Sequence, residues 1–322
     1  MKFVMTQAVC QEAMDMLNGK STVFVADNGD PNNYLDEMRD AEAVIVRIGK
    51  LDRNAIERSP NLKVIGRTGV GYDNVDVEAA TAAGIPVVIT PGTNNRSVAE
   101  HTLAMVFAVS KNLVEGHNET QRGNFSIRSA GKAFEILGKT IGFIGLGAIG
   151  IETARLCKAL GMETAGYDPF LSKEAVEAMG CAYYSDYEQM LGDCDFISLH
   201  TPLTADTRNM ITLKQLKMMK RTAGLINCAR GGLIDEADLA VALNEGLIAA
   251  AGIDVFETEP PAVDNPLFSA KNVLCSPHSA AQTRESVIGM HTMCVKGCLD
   301  VLNGEKFPHV ANREVYNHPN WN

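Results

Sequence analysis

No stretch of the chain comes near the ~18 to 20 consecutive apolar residues that a bilayer-spanning helix requires, so no helical membrane span is expected. Cysteine is scarce, at eight residues in 322, and no C-x-x-C pair occurs. Cys10, Cys157, Cys181, Cys194, Cys228, Cys275, Cys294 and Cys298 read as reduced packing thiols in a reducing, cytoplasmic compartment. A metal site built on them is not expected. The opening run MKFVMTQAVCQEAMDML has one lysine and no long apolar core, which makes it a poor secretory signal. Positive charge is also in short supply: 29 Lys plus Arg stand against 39 Asp plus Glu, a formal net charge of −10. That balance argues against a nucleic-acid partner. What is present is ordinary for a globular protein, with 46% hydrophobic and 21% charged residues, so disorder is excluded. The length suits two domains of ~150 residues each.

Short apolar runs alternate with amphipathic stretches. Phe3–Met5, Thr22–Ala26, Ala43–Arg47, Lys63–Arg67 and Pro86–Thr90 read as strands, with helical patterns between them at Gln11–Leu17 and Val77–Ala83. Continuous apolar strands separated by helices imply a parallel sheet covered on both faces. One long helix is expected from Val98 to Gly123, followed by a polar linker over Gly123–Lys139. The pattern then restarts with strands at Thr140–Ile144, Glu163–Tyr167, Phe196–Leu199, Gly224–Ala229, Ala250–Phe256 and Asn272–Ser276. The fold class is therefore α/β, with two doubly wound parallel-sheet domains.

The run Gly145-Leu-Gly147-Ala148-Ile149-Gly150 is a G-x-G-x-x-G that follows the apolar Ile141–Ile144 and precedes the helical Ile151–Leu160. Gly145 allows a tight turn, Gly147 lets a pyrophosphate approach the backbone, and Gly150 lets helix and strand pack closely. The N-terminus of the helix that follows offers free N–H groups and partial positive charge that suit phosphates, and Ala148 and Ile149 in the loop are counted with the glycines as cofactor-binding. The next strand ends in Asp168, where a carboxylate accepts hydrogen bonds from an adenosine ribose and repels a 2′-phosphate. No arginine follows in Pro169-Phe170, so NAD is favoured over NADP.

Three polar residues fall at the carboxyl ends of later strands, the edge where parallel α/β sheets bind ligands: Arg230, Glu259 and His278. Each alone is unremarkable as a surface or loop residue. Together, downstream of a dinucleotide loop, they supply what a hydroxy-acid dehydrogenase needs. Arginine is a planar bidentate cation for a carboxylate, histidine donates and accepts a proton near neutral pH, and a carboxylate orients the imidazole.

These residues carry a family resemblance. In Val64–Asp76 (VIGRTGVGYDNVD), Thr90–Glu100 (TPGTNNRSVAE), Leu137–Gly150, Asn227–Asp235 (NCARGGLID), Gly252–Pro260 (GIDVFETEP) and Ser276–Ala280 (SPHSA) the chain resembles the D-isomer-specific 2-hydroxyacid dehydrogenases. The resemblance implies a flavodoxin-like substrate domain built from residues 1–97 and 286–322. A Rossmann NAD domain would be inserted at 98–285, with the active site in the cleft between the two. It implies a homodimer formed through the long helix. It implies that Arg230, Glu259 and His278 are catalytic, that Thr201, Cys228 and Asp254 line the cofactor, and that the backbone at Val70 and Gly71 holds the substrate carboxylate. Asp254 matches the position that contacts the nicotinamide carboxamide. The chain departs from the family at Ala148, where an arginine or histidine is frequent, so one phosphate contact is missing. Glutamate rather than glutamine at 259 makes a formate-dehydrogenase-like enzyme an unlikely match.

The phosphoglycerate-dehydrogenase branch is the nearest in look, through Ile45-Val-Arg47, Gly66–Asp73 and the Asn-Cys-Ala-Arg run. Arg47, Lys50, Arg67 and Arg96 are cations that a phosphorylated substrate would want, and Arg47 and Arg67 are the candidate substrate ligands. The competing reading makes them structural residues at strand ends. Ile48 stands where a small polar residue is frequent. With 322 residues, no separate serine-sensing domain is expected. The alternatives are a glyoxylate/hydroxypyruvate reductase or another small D-2-hydroxyacid dehydrogenase. From another class come the NAD-sensing corepressors called C-terminal-binding proteins, which share this fold; neither long disordered flanks nor a basic signature accompanies it here.

Overall fold

A computed structural model describes residues 1–47 and 49–321; Ile48 lies outside the described residues. The chain forms two compact units, one from Met1–Asn94 with Gln282–Asn322 and one from Asn95–Ala281. The first unit is built on β1 (Lys2–Met5), β2 (Thr22–Val25), β3 (Ala43–Val46), β4 (Val64–Arg67) and β5 (Val87–Val88). Their order is β2-β1-β3-β4-β5 and all neighbours are parallel. This is the flavodoxin-like order.

The second unit carries β6 (Thr140–Ile144), β7 (Glu163–Tyr167), β8 (Ala182–Tyr183), β9 (Phe196–Leu199), β10 (Gly224–Asn227), β11 (Ala250–Ile253) and β12 (Val273–Cys275). Their order is β12-β11-β10-β9-β6-β7-β8, again all parallel. The order reverses beside β6, which pairs β7 on one side and β9 on the other. In an open parallel sheet that reversal opens a crevice at the carboxyl ends of the strands.

The apolar runs explain the layering. Every residue of β3, β9, β10 and β11 is buried, which requires cover on both sheet faces. Helices provide it. In the first unit the Arg284–Leu302 helix buries Cys294, Val295, Cys298 and Val301 in a core shared with Phe3, Met5, Ile45 and Val64. Each fully buried Leu, Ile or Phe contributes roughly 1.5–3 kcal/mol. All eight cysteines are free thiols, six of them buried. Among the described residues no helix is long and apolar enough to cross a membrane, and no cluster of His, Cys, Asp or Glu has metal-binding geometry.

Two expectations from the sequence need correction. The long helix is broken into Asn95–Ser110 and Leu113–Gln121. Asn112 sits between them with φ 51°, a left-handed conformation that asparagine tolerates, and its Nδ2 donates to Glu115 Oε2 at 2.6 Å. The stretch 123–139 is not a free linker but part of the second unit. The Phe134 backbone N–H donates to Ser110 O at 2.9 Å, its ring lies 5.9 Å from that of Phe196, and Ile136 is buried.

A buried histidine ties the two ends of the chain together in the first unit. His291, on the Arg284–Leu302 helix, is 2% exposed, and its Nδ1 accepts the Cys10 N–H at 2.9 Å. Burial, with the nearby Arg47 charge, pushes its pKa down to about 4. The unfolded chain takes up this proton first, near pH ~6.5, so stability falls as pH drops from there towards 4 and levels off below. For one residue shifted this far the loss is roughly 3 kcal/mol. His291→Asn keeps an acceptor near the Cys10 N–H and removes the titration. Thermal melts are expected to show a shallower fall between pH 6.5 and 4 in the variant; parallel curves would remove His291 from the account.

Candidate active site

The glycine loop follows β6 and leads into the Ala148–Ala159 helix, as its local chemistry requires. Gly145 has φ +96°, and a Cβ there would lie 2.6 Å from His200 O. At Gly150 a Cβ would lie 2.4 Å from Gly145 O. At Gly147 it would meet nothing within 4 Å. The loop is thus closed where helix and strand pack and open at the one glycine a pyrophosphate would approach, beside a helix N-terminus. Asp168 directly follows β7, and backbone N–H groups hold both of its carboxylate oxygens: Oδ2 accepts from Leu146 at 2.9 Å and Oδ1 from Phe170 at 3.0 Å. These residues fit a dinucleotide. Ala148 and Ile149 form the first helical turn, and Ala148 offers no side-chain donor. Thr201 lies directly beside Gly145, its N 3.1 Å from where a Gly145 Cβ would stand. Cys228 is buried; burial first, and the charge of Asp254 second, push its thiol up to about 12, so it packs as a neutral thiol.

The other chemistry lies after β10, β11 and β12, three neighbouring strands of the same sheet. Arg230 follows β10 in a turn that Asn227 folds, accepting the Ala229 N–H at Oδ1 (3.0 Å) and donating Nδ2 to Arg230 O (2.9 Å). The Arg230 guanidinium donates to Ala229 O at 2.6 Å. Glu259 follows β11; its Oε1 accepts the Phe256 N–H at 3.0 Å and its Oε2 lies 2.7 Å from His278 Nδ1. Burial would raise the Glu259 carboxyl, but the hydrogen bond and charge of His278, helped by the Phe256 N–H, hold it below the usual carboxylate range. A carboxylate only accepts, so His278 Nδ1 carries the hydrogen and Nε2 is the atom left to exchange a proton. The His278 side chain is 47% exposed, open to a substrate.

Asp254 is placed differently from the other predicted ligands. Its side chain is 0% exposed. It accepts the Ser279 and Ala280 N–H groups, each at 2.9 Å, and the Ser276 hydroxyl. In this structure the carboxylate therefore organises the turn around His278. Sequence reasoning overlooked this set, and His101, which joins it from 175 residues away in the chain. No local motif links such distant positions.

In the first unit, Arg47 directly follows β3. Its guanidinium donates to Ala8 O and to Gln282 Oε1, both at 3.3 Å, and it has no carboxylate partner among the described residues. Arg67 instead folds back onto its own loop, donating to Thr68 O and covering Gly69. Val70 and Gly71 follow in that loop, Val70 exposed and Gly71 half-buried. Arg96, on the Asn95–Ser110 helix of the second unit, is tied to Glu100 at 2.5 Å and Glu152 at 3.1 Å.

Comparison with known proteins places this geometry. Residues 103–280 match the family described as D-isomer specific 2-hydroxyacid dehydrogenase, NAD binding domain. The chain belongs to this family. It is 43% identical over 312 residues to the D-3-phosphoglycerate dehydrogenase of Methanocaldococcus jannaschii, covering 97% of this chain and 59% of that one. It thus spans well under two thirds of the length of that relative. It is 36% identical over 320 residues to the glyoxylate reductase of Aeropyrum pernix, covering 96% of this chain and 95% of that one. Among solved structures, the NADPH-dependent glyoxylate/hydroxypyruvate reductase of Sinorhizobium meliloti, in complex with NADP and malonate, superposes with a TM-score of 0.85 at 27% identity, covering 97% of each chain. The glycine loop, Asp168, Arg230, Glu259 and His278 all fall within the stretch matched to the family's NAD-binding domain.

Proposed function

We propose that this 2-hydroxyacid dehydrogenase interconverts a D-2-hydroxy acid and its 2-oxo acid with NAD, and that its substrate carries a phosphate, as D-3-phosphoglycerate does. The observation that carries the reaction is the 2.7 Å hydrogen bond between Glu259 and His278, standing one strand away from Arg230 at a carboxyl sheet edge. NADH, when bound, supplies the hydride that reduces the 2-oxo carbon. His278 gives a proton from Nε2 to the oxygen that becomes the hydroxyl, and takes it back in the oxidative direction. Glu259 holds the Nδ1–H tautomer and stabilises the imidazolium before that proton leaves. Arg230 binds the carboxylate and the reacting oxygen through its forked N–H donors. Asp168, its oxygens fixed by two backbone N–H groups, favours NAD because a 2′-phosphate there would meet a carboxylate.

The phosphate reading rests on Arg47, a cation held by two neutral acceptors with no carboxylate partner among the described residues to cancel it. Arg67 is bound to its own loop at Thr68 O, next to Gly69. The test is NADH oxidation against 3-phosphohydroxypyruvate, hydroxypyruvate, glyoxylate, pyruvate and a bulkier 2-oxo acid. The phosphorylated acid is expected to have the highest kcat/KM. Arg47→Ala is expected to raise its KM about 10- to 100-fold, as loss of one charge-assisted pair does, and that of glyoxylate less than twofold. A flat ranking would move the assignment to a small-acid reductase. No turnover with any acid would sink the enzymatic reading. A cytoplasmic homodimer belongs to the same proposal. The dimer is supported by the exposed apolar side chains Leu113, Val114, Phe125 and Leu137 of the second unit, and sedimentation equilibrium tests it.

A further inference from the structure

His278 is held in a conformation that histidine does not choose freely. Its φ is +51°, in the left-handed region, which a non-glycine residue adopts only against a steric penalty. The surrounding structure must impose it. Glu259 holds the ring and Ser276 O lies 3.1 Å from the His278 N–H, but most of the groups around the turn converge on Asp254. The His278 N–H donates to Asp254 O at 2.7 Å. The Asp254 carboxylate then grips the turn on both sides of His278: the Ser276 hydroxyl before it, and the Ser279 and Ala280 N–H groups after it.

This clamp has an outer end. Ser276 Oγ lies 3.1 Å from His101 Nε2, and that nitrogen lies 3.5 Å from Asp254 Oδ1. The Ser276 hydroxyl has one proton, and it goes to the carboxylate, the stronger acceptor. Towards His101 the same oxygen therefore accepts, and His101 Nε2 donates. The order is His101 N–H to Ser276 O–H to Asp254 carboxylate, within the second unit. His101 belongs to the Asn95–Ser110 helix, and without its N–H the Ser276 oxygen loses the one donor it has among the described residues, so the hydroxyl can turn away from Asp254.

We propose that His101 is a positioning residue for the reaction: acting through Ser276 and Asp254, it fixes the turn that presents His278. This rests on the dehydrogenase reading above and adds to it a residue outside the set which that reading assigns to substrate and cofactor. A misplacement of a catalytic group by about 1 Å costs up to 10²-fold in rate, so a loosened clamp acts on kcat rather than on binding.

The experiment compares wild type, His101→Ala, His101→Gln, Ser276→Ala and the His101→Ala/Ser276→Ala double variant on the best 2-oxo acid, with Tm recorded for each. His101→Ala is expected to lower kcat about tenfold while KM for the acid and for NADH stays within twofold. Glutamine places an amide N–H near the position of Nε2, so His101→Gln is expected to recover most of kcat. Ser276→Ala breaks the same link, so the double variant is expected to be no slower than either single one. Should His101→Ala fold poorly, His101→Gln against Ser276→Ala still decides. The proposal is overturned if His101→Ala keeps kcat within twofold of wild type, or if the losses multiply in the double variant. It is equally overturned if a drop in Tm accompanies unchanged kcat. Absence of turnover in the wild type itself would overturn the dehydrogenase reading instead, so the two failures are separable.

Discussion

With His278 replaced, kcat is expected to fall by about 10²- to 10⁴-fold, the usual contribution of a positioned general acid–base group, while NADH still binds. The proton path has one exit. Nδ1 is committed to Glu259 at 2.7 Å, so Nε2 alone can serve the reacting oxygen. The groups that fit the cofactor come from elsewhere in the sheet, from the loop after β6 and from the end of β7, so their geometry does not depend on the imidazole. The choice of substitute matters. Alanine at φ +51° carries the left-handed cost, and a loss of activity could then reflect a collapsed turn. Asparagine tolerates that conformation and cannot shuttle a proton near neutral pH. His278→Asn and His278→Ala are therefore measured together, by NADH oxidation and by NADH fluorescence titration. Equal, large losses of kcat with unchanged NADH affinity fit the proton-donor role. A His278→Asn enzyme that keeps more than a tenth of kcat would remove the histidine from the chemistry. Loss of NADH binding in both would give it a structural role.

What could be read from the sequence was what is local. Residues 140–168 hold strand, glycines, helix and acid in one continuous stretch, each with its own steric or electrostatic reason, so the dinucleotide loop stands out. The parallel sheets were visible in four-residue apolar runs such as Ala43–Val46 and Phe196–Leu199, which only make sense with both faces covered. Arg230, Glu259 and His278 could be put at one edge because each closely follows a strand of a parallel sheet. Other features are not local. The break at Asn112 depends on one residue taking a left-handed conformation inside an otherwise helical pattern. The polar stretch 123–139 looks like a linker until Phe134 and Ile136 find their packing partners. The clamp of His101, Ser276 and Asp254 joins two loops and a helix far apart in sequence. Each of its members has an ordinary explanation when taken alone.

Gly231 is the strongest case of a residue whose importance only the folded chain reveals. In sequence it is the first of two glycines after Arg230, and either could be a plain turn residue. In the structure a Cβ on Gly231 would lie 1.8 Å from Phe256 O, 2.1 Å from Phe256 C and 2.7 Å from Glu257 N. All three are backbone atoms, so no side-chain rotation relieves the clash, and the two loops must separate by more than ~1 Å. That separation acts on both halves of the chemistry. Arg230 directly precedes Gly231, and Phe256 supplies the N–H that holds Glu259 Oε1, whose other oxygen holds His278. Gly231→Ala is therefore expected to cost about 3 kcal/mol of stability and about 10²-fold in kcat. Gly232→Ala is the natural control. Gly232 has φ +78°, so alanine there carries a left-handed backbone cost of roughly 1–2 kcal/mol. Its Cβ, however, would meet only side-chain atoms, Arg208 Nη1 at 3.3 Å and Leu203 methyls at 3.5 Å, and these can give way. The two variants separate strain from displacement: Gly232→Ala should lower Tm and spare kcat, whereas Gly231→Ala should lower both. If Gly231→Ala turns over within twofold of wild type, the Arg230 turn does not set the spacing of the site. The close approach of the loops after β10 and β11 would then be a packing feature alone.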